Sequence, residues 1–475
     1  MVMERIVKTA VVLRNNWKKS VFASLCALYG GNYAVGKYRE ALYMHEICLE
    51  AKAFGDAPLP TTAKPRHVTV ILNPAANDGK CRAMFDKYCG PLLNLAGLKV
   101  GIIKTEKEGQ AKDIMEIMDN TDAVIVAGGD GTVAEVVTGL LRRADRAQAV
   151  QRLPLALIPL GDTSGSATAL LPPGEDSPAR RITQATMALV RDTVRPLDAM
   201  EVQALETEAE VPGRPVYLLS NITWGAFRDV QARVSKYWYW GGLKERMAYV
   251  FAVFKNLTWS CNGDMEYTAY CAGCSRCYAE QKQQQQERAA AEQQQQQQAR
   301  AGRWWSRFIP QPKPTAPPQP ESAVSEDFSS VDNPDCGVWH RRPVSTIDWS
   351  LRTRHAAAEG AGPGLHLRLG PSEMSSSEFI SEGWSRMGGS EPSGTERLTV
   401  DQVRLVPTPE ERSASVTAPT TTDSTSTPAE PPANTRWFGF DGEEFEVRPV
   451  LIRLLPRAVR VFTERDTEQT APVPS

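Results

Sequence analysis

The chain has 475 residues, 41% of them hydrophobic and 23% charged, with 54 basic against 56 acidic side chains and a net charge of −2. That length predicts two folded domains with additional segments, and the charge balance excludes both a broadly basic nucleic-acid binder and an acidic solvating chain. Nine cysteines over this length exclude a disulfide scaffold, and five histidines without an H-E-x-x-H pair leave little room for a His-rich metal enzyme.

Residues 1–65 form a basic N-terminal segment. Arg5, Lys8, Arg14, Lys18 and Lys19 stand against Glu4, and the uncharged run Ser20–Gly36 follows, closed by Lys37 and Arg39. The run is at the short end for a membrane-spanning helix, and Gly30, Gly31 and Asn32 weaken it. An amphipathic or buried helix is one alternative, and a cleaved secretory signal another, disfavoured because the run lacks a small-x-small exit and is followed by more basic helix. A basic, acid-poor start before a short apolar run predicts a mitochondrial membrane anchor, with its positive end in the matrix and the body in the intermembrane space.

Residues 66–194 alternate between short apolar runs and helix-period segments. Strands are expected at 67–74, 99–105, 122–129 and 154–161, and helices at 79–96, 110–119, 131–143 and 177–191. Continuous apolar strands alternating with helices predict an α/β domain, a parallel sheet with helices on both faces. Ligands in such sheets bind beyond the carboxyl ends of the strands. Residues 195–460 change texture. Short alternating segments at 215–225, 264–270, 345–353, 398–406 and 443–456 predict an antiparallel, β-sandwich-like second domain. Its Gln- and Pro-rich interruption at about 279–335 and the Thr/Ser/Pro-rich stretch 407–435 are expected to be disordered, because they cannot bury enough apolar surface to offset the entropy of ordering. Residues 461–475 are expected to be a disordered tail.

The sharpest motif is Gly128-Gly129-Asp130-Gly131-Thr132, between a buried strand and a helix. Glycines let the backbone turn sharply and approach a polyphosphate, whose charge then faces backbone N–H groups and a helix N-terminus. Asp130 is placed to hold magnesium or to accept a proton from an attacking hydroxyl. The plainer reading is a tight turn with Asp130 as a helix cap. Cys271, Cys274 and Cys277 have C-x2-C-x2-C spacing. A zinc site would take its fourth ligand from Cys261, Cys336 or His340, and a disulfide or free thiols are the alternatives. Trp238, Tyr239 and Trp240, beside Tyr237 and Lys236, suit a membrane interface or the core of the second domain.

GGDGT at 128–132 resembles the signature of the diacylglycerol kinase, sphingosine kinase and NAD kinase superfamily. The stretch Asn73-Pro74 through Gly79-Lys80 looks like the first nucleotide-loop motif of its lipid kinases. Likeness to the acylglycerol kinases of animal mitochondria runs through NNWKK (15–19), KTEKEGQAK (104–112), NTDAVIVAGGDGT (120–132), EVVTGLLRR (135–143), IPLGDTS (158–164) and SKYWYWGGLK (235–244), and fades in the insertions. The resemblance implies transfer of the ATP γ-phosphate, with magnesium, to the hydroxyl of mono- and diacylglycerol in a cleft between the domains. It implies nucleotide contacts from Asn73, Gly79, Gly128, Gly129, Gly131, Thr132, Gly161, Thr163 and Ser164, and an essential Asp130. Asp441-Gly442-Glu443 resembles the family's D-G-E motif, whose carboxylate is a candidate general base: Glu443 first, Asp441 second. Asp-Gly is also a common hairpin turn.

The chain departs from the wider superfamily after the fourth strand. There Pro159-Leu160-Gly161-Asp162-Thr163-Ser164 lacks the usual Asn-Asp pair, as in the acylglycerol kinase branch. A sphingosine or ceramide kinase is an alternative, and the membrane-directed N-terminus disfavours an NAD kinase. The resemblance also implies a second role, as a carrier-translocase subunit of the inner membrane that does not need catalysis.

Overall fold

The computed structural model describes residues 16–58, 64–161, 163–171, 177–205, 214–255, 259–279, 283, 328–357, 361–388, 396–409 and 436–464. They fall into two compact units. One runs up to Leu197 and takes the chain back from Arg457, and the other spans Asp198–Pro456.

The first unit is built on four parallel strands: β1 (His67–Leu72), β2 (Lys99–Lys104), β3 (Ala123–Gly128) and β4 (Leu155–Pro159), in the order β2-β1-β3-β4. Successive side chains of a strand point to opposite faces. Val68, Val70 and Leu72, with Ile125 and Ile158, pack with Phe85, Leu93, Ile182 and Leu189. The residues between them, Ile71, Val124, Val126 and Leu157, are buried as well. Both faces of β1, β3 and β4 are therefore covered, as their unbroken apolar runs required, while the edge strand β2 is largely exposed.

The helices of this unit are α2 (Cys81–Met84), α3 (Gly90–Leu95), α4 (Gln110–Ile117), α5 (Asp130–Arg142), α6 (Arg146–Arg152), α7 (Gly165–Thr168) and α8 (Pro178–Val190). The helix expected over 79–96 starts at Cys81 and widens into a π turn at Phe85–Cys89. Helices α6 and α7 were not anticipated. Arg143, just past α5, donates to the carbonyls of Met115, Glu116 and Met118 at the end of α4, and so ties the two helices.

In the same unit, ahead of the sheet, α1 (Trp17–Gly55) runs for 39 residues. Its second half docks. Ile47, Cys48 and Ala51 pack with Leu92, Met187 and Val190, Tyr43 Oη lies 3.0 Å from Thr183 Oγ1, and Glu50 pairs with Arg191. Its first half is exposed, including Phe22, Leu25, Leu28 and Tyr29. The expected membrane-spanning anchor is not supported: no helix among the described residues is long and apolar enough to cross a membrane. Tyrosine, glycine and flanking charge dilute the run at 20–36.

In the second unit, β7 (Asn221–Gly225), β10 (Asp348–Arg352), β11 (Leu365–Leu369), β12 (Glu396–Pro407), β13 (Trp437–Phe440) and β14 (Glu443–Glu446) form an antiparallel path, β14-β13-β7-β10-β11-β12. Strand β12 pairs β11 along its first half. From Val400 it also pairs β8 (Cys261–Ala269), with a register shift between Val400 and Gln402, and from Gln402 it pairs β15 (Val450–Phe462). These strands thus belong to one hydrogen-bonded sheet, where a two-sheet sandwich was expected, because β12 changes partners partway along. β8 in turn pairs β9 (Trp339–Thr346), and β5 (Val194–Ala204) pairs β15 and, antiparallel, β6 (Val216–Leu218). The helices α9 (Ala226–Ala232), α10 (Lys244–Phe254) and α11 (Ser376–Met387) enclose Phe227, Tyr249 and Phe379.

The chain was expected to become a disordered tail at 461. Instead β15 continues through Arg457, which has φ 50°, to Phe462, and Val461 pairs Leu155 of β4 in parallel. The period-2 apolar pattern of Val459 and Val461 carries the strand on. The low-complexity stretches at 284–327 and 410–435, and residues 465–475, lie outside the described residues.

Candidate active site

Strand β3 ends at Gly128, Gly129 bridges in extended backbone, and Asp130 opens the 13-residue α5. The turn is seated against the loop after β4. A Cβ on Gly161 would fall 2.3 Å from Gly129 Cα, and one on Gly129 would fall 2.9 Å from the Thr163 carbonyl oxygen. Only glycine fits either position. The N–H of Gly161 donates to the Gly128 carbonyl at 3.0 Å, and the N–H of Asp130 donates to the Thr163 carbonyl at 2.9 Å.

Asp130 is 4% exposed. Its Oδ2 accepts the Gly165 N–H at 2.7 Å, and its Oδ1 accepts the Ser166 N–H at 2.9 Å. Burial raises this carboxyl above the ordinary Asp range, and the backbone donors of Ser166 and Gly165 oppose that shift by favouring the ionised form. Thr132, one turn into α5, is buried, and its Oγ1 accepts from Asn73 Nδ2 at 3.2 Å. Asn73 Oδ1 accepts the Ala75 N–H, so this side chain shapes the loop after β1 and fastens it to the turn. Further along that loop Asn77, Asp78 and Gly79 are all left-handed, with φ of 56°, 50° and 79°.

The fold thus brings together Asn73, Gly128, Gly129, Asp130, Gly131, Thr132, Gly161, Thr163 and Ser164 at the carboxyl ends of parallel strands. Gly79 lies on the same loop as Asn73. The start of α5 adds the positive end of a helix dipole, which favours a phosphate. Magnesium is commonly held by one or two carboxylates together with substrate phosphates. Each Asp130 oxygen keeps acceptor capacity beyond its one backbone donor. The residues fit an ion that arrives with a nucleotide, but they form no carboxylate cage: among the described residues, the cluster of three or more metal-binding side chains is made of thiols.

The resemblance implies nucleotide contacts from Thr163 and Ser164. Here Ser164 Oγ donates to the Gly161 carbonyl at 2.9 Å, and Thr163 contributes its carbonyl oxygen to Asp130. The donors that hold Asp130 are Gly165 and Ser166, which sequence reasoning missed. The residues stood in the quoted loop, but no spacing rule marks a backbone N–H that serves a side chain thirty-five positions away.

Asp441 and Gly442, with φ of 46° and 89°, make the two-residue turn joining β13 to β14. This is the type I′ geometry that Asp-Gly favours. Asp441 is 2% exposed, and its carboxylate accepts the N–H groups of Leu219, Ser220 and Asn221 at 2.9, 3.0 and 2.6 Å. It pins the turn to the chain entering β7. Glu443 is exposed at the start of β14. Glu444 pairs with Arg228, which also holds the buried Asp229.

A glycine-lined turn with a buried aspartate at a strand-to-helix junction of a parallel sheet has the form of a nucleotide-binding domain. The diacylglycerol kinase catalytic domain family matches residues 67–202, and the acylglycerol kinase C-terminal family matches residues 219–473. Mitochondrial acylglycerol kinases of Homo sapiens and Pongo abelii are each 34% identical over 469 residues, covering 98% of this chain and 98% of theirs. Sphingosine kinase 1 of Rattus norvegicus is more distant, 30% identical over 188 residues, covering 38% of this chain and 47% of its own. The chain belongs to the acylglycerol kinase family and is an ATP-dependent lipid kinase.

Proposed function

We propose that the chain transfers the ATP γ-phosphate to the hydroxyl of mono- and diacylglycerol, giving lysophosphatidic and phosphatidic acid. The observation that carries this reading is the Gly129–Gly161 contact with Asp130 held beside it, a backbone cradle with no room for a Cβ. The phosphates lie over the GGDGT turn, against the N-terminus of α5. Asn73 and Thr132 keep the two loops in register, and positioning and charge stabilisation supply most of the rate. Magnesium bound with the nucleotide would offset phosphate charge, with Asp130 as its protein carboxylate. Glu443 is the assigned general base for the lipid hydroxyl, since Asp441 already serves three backbone donors.

The lipid substrate implies work at a membrane surface, and Trp238, Tyr239 and Trp240, at 77, 60 and 39% exposure, suit its interface. The relatives' mitochondrial naming supports that organelle; a body in the intermembrane space at the inner membrane is read from the basic N-terminal segment alone. Transfer of labelled phosphate to monoacylglycerol, diacylglycerol and sphingosine in detergent micelles tests the reading, with Asp130→Asn as control. Transfer to glycerol lipids that the substitution abolishes supports it. Transfer to sphingosine alone makes the chain a sphingosine kinase.

A second reading assigns the exposed apolar side chains in the first half of α1 to carrier-translocase subunits. It gains ground if folded, ATP-binding protein phosphorylates no lipid while carrier import survives Asp130→Asn.

A further inference from the structure

Four cysteines outside the kinase motifs meet in the second unit. Cys271, Cys274 and Cys277 follow β8, Cys336 precedes β9, and their four Sγ atoms all lie within 4.8 Å of one another. The Cys277 and Cys336 sulfurs are 3.0 Å apart. The other two candidate ligands are elsewhere engaged. Cys261 is buried at the far end of β8 and donates to the Thr346 carbonyl, and the His340 ring packs on Tyr267.

Zinc–sulfur bonds of about 2.3 Å place the sulfurs of a tetrahedral site about 3.8 Å apart, inside the spread seen here. The surroundings have the form of a metal site's outer shell, in which N–H groups support thiolate sulfur. Asn333 Nδ2 donates to Cys271 Sγ at 3.4 Å. Arg276 Nη1 donates to the Cys336 carbonyl at 2.7 Å, which brings a positive charge beside a site that would carry two negative ones. The backbone is shaped for it too. Gly273 has φ 147° between the first two cysteines, and Gly337 has φ 72° beside the fourth.

We propose that Cys271, Cys274, Cys277 and Cys336 bind one zinc ion as a structural tetrathiolate site. Four thiols lose their protons and give four Zn–S bonds. A disulfide would use two sulfurs and has no need of the other two at the same point. The site also has a purpose in the fold. Strands β8 and β9 pair from Cys261↔Thr346 to Thr268↔Trp339, yet the chain between them is the long connection 270–338. Closing so long a loop costs entropy, and a metal clip at its base fixes both ends where the strands separate.

The test is elemental analysis and native mass spectrometry of the full-length protein, purified without chelator. One zinc per chain is expected, retained by Cys26→Ser and lost from Cys274→Ser and Cys336→Ser. Because those two variants can fail to fold, the wild-type chain is also loaded with cobalt(II). The charge-transfer and d–d absorption of a tetrahedral four-sulfur site supports the proposal. Metal-free folded protein whose four thiols alkylate freely overturns it, and so does an intact mass showing these cysteines joined in disulfides. Neither readout depends on kinase activity, so the failure of this proposal and of the functional reading are separable.

Discussion

The Asp130 carboxylate accepts the backbone N–H of Gly165 at 2.7 Å, which joins the glycine-rich turn to the start of α7. Asparagine at 130 keeps the shape, but it turns an N–H2 group toward one of two backbone donors. Asp130→Asn should leave the chain folded and reduce kcat by about 100-fold or more, the scale of losing a preorganised charged group. KM for ATP should change much less. Burial raises the Asp130 carboxyl, and activity needs its ionised form. The acid limb of the wild-type kcat/KM profile should therefore lie above the ordinary Asp range, with activity falling as pH drops through it. Steady-state kinetics across pH with monoacylglycerol micelles checks both points.

Two glycine-to-alanine substitutions separate steric contact from backbone strain. At Gly161 the new Cβ would lie 2.3 Å from Gly129 Cα, which is backbone and cannot rotate away. Gly161→Ala should cost about 3 kcal/mol and displace the turn, with near-complete loss of transfer. At Gly79 no atom lies within 4 Å of a built Cβ, but φ is 79°. Gly79→Ala should cost only the left-handed penalty of about 1–2 kcal/mol. Denaturant unfolding read beside activity checks the contrast. Equal losses at the two positions would overturn the close-contact account.

Glu40 fastens α1 to the rest of the first unit. Its carboxylate accepts from Lys37, from Lys87 at 2.7 Å and from Tyr88 at 2.6 Å. The Lys37 hydrogen bond, then those of Lys87 and Tyr88, lower its pKa from 4.5 to about 2. A carboxyl depressed in the folded state stabilises above its unfolded pKa, and that stabilisation is lost as pH falls through the folded value. The stability difference between wild type and Glu40→Gln should therefore be constant above pH 4.5 and shrink toward pH 2. Urea unfolding over that range measures it. A difference that does not change with pH would mean the pair contributes nothing.

The parallel half of the fold was legible because β1, β3 and β4 are buried on both faces and read as unbroken apolar runs, while β2 is an exposed edge strand found from its place in the strand-helix alternation. GGDGT was legible because Gly129 has no room for a side chain, and such a constraint leaves the same residue in the sequence that it imposes on the structure. Other features had a weak local mark or none. Strand β11, LHLRL, carries the period-2 alternation, but over only five residues. The role of Arg457–Phe462 in the first unit comes from a partner, Leu155, some three hundred residues earlier. The fourth cysteine was among three candidates, and only the pairing of β8 with β9 brings Cys336 to the other three.

Asp441 and Glu443, two residues apart, should separate cleanly by experiment. The Asp441 carboxylate satisfies the N–H groups of Leu219, Ser220 and Asn221, so Asp441→Asn removes charge from three hydrogen bonds. Asparagine tolerates the left-handed backbone at this position, so strain does not confuse the result. The loss should be about 2–4 kcal/mol of stability, with kcat largely preserved in the fraction that folds. Glu443 is exposed, and Glu443→Gln should leave thermal stability unchanged while lowering kcat by about 100-fold, as removal of a general base does. The two readouts are Tm by calorimetry and kcat with saturating ATP and lipid. If Glu443→Gln keeps full kcat, the base is not Glu443, and Asp441 has no free role to inherit while it holds three backbone donors.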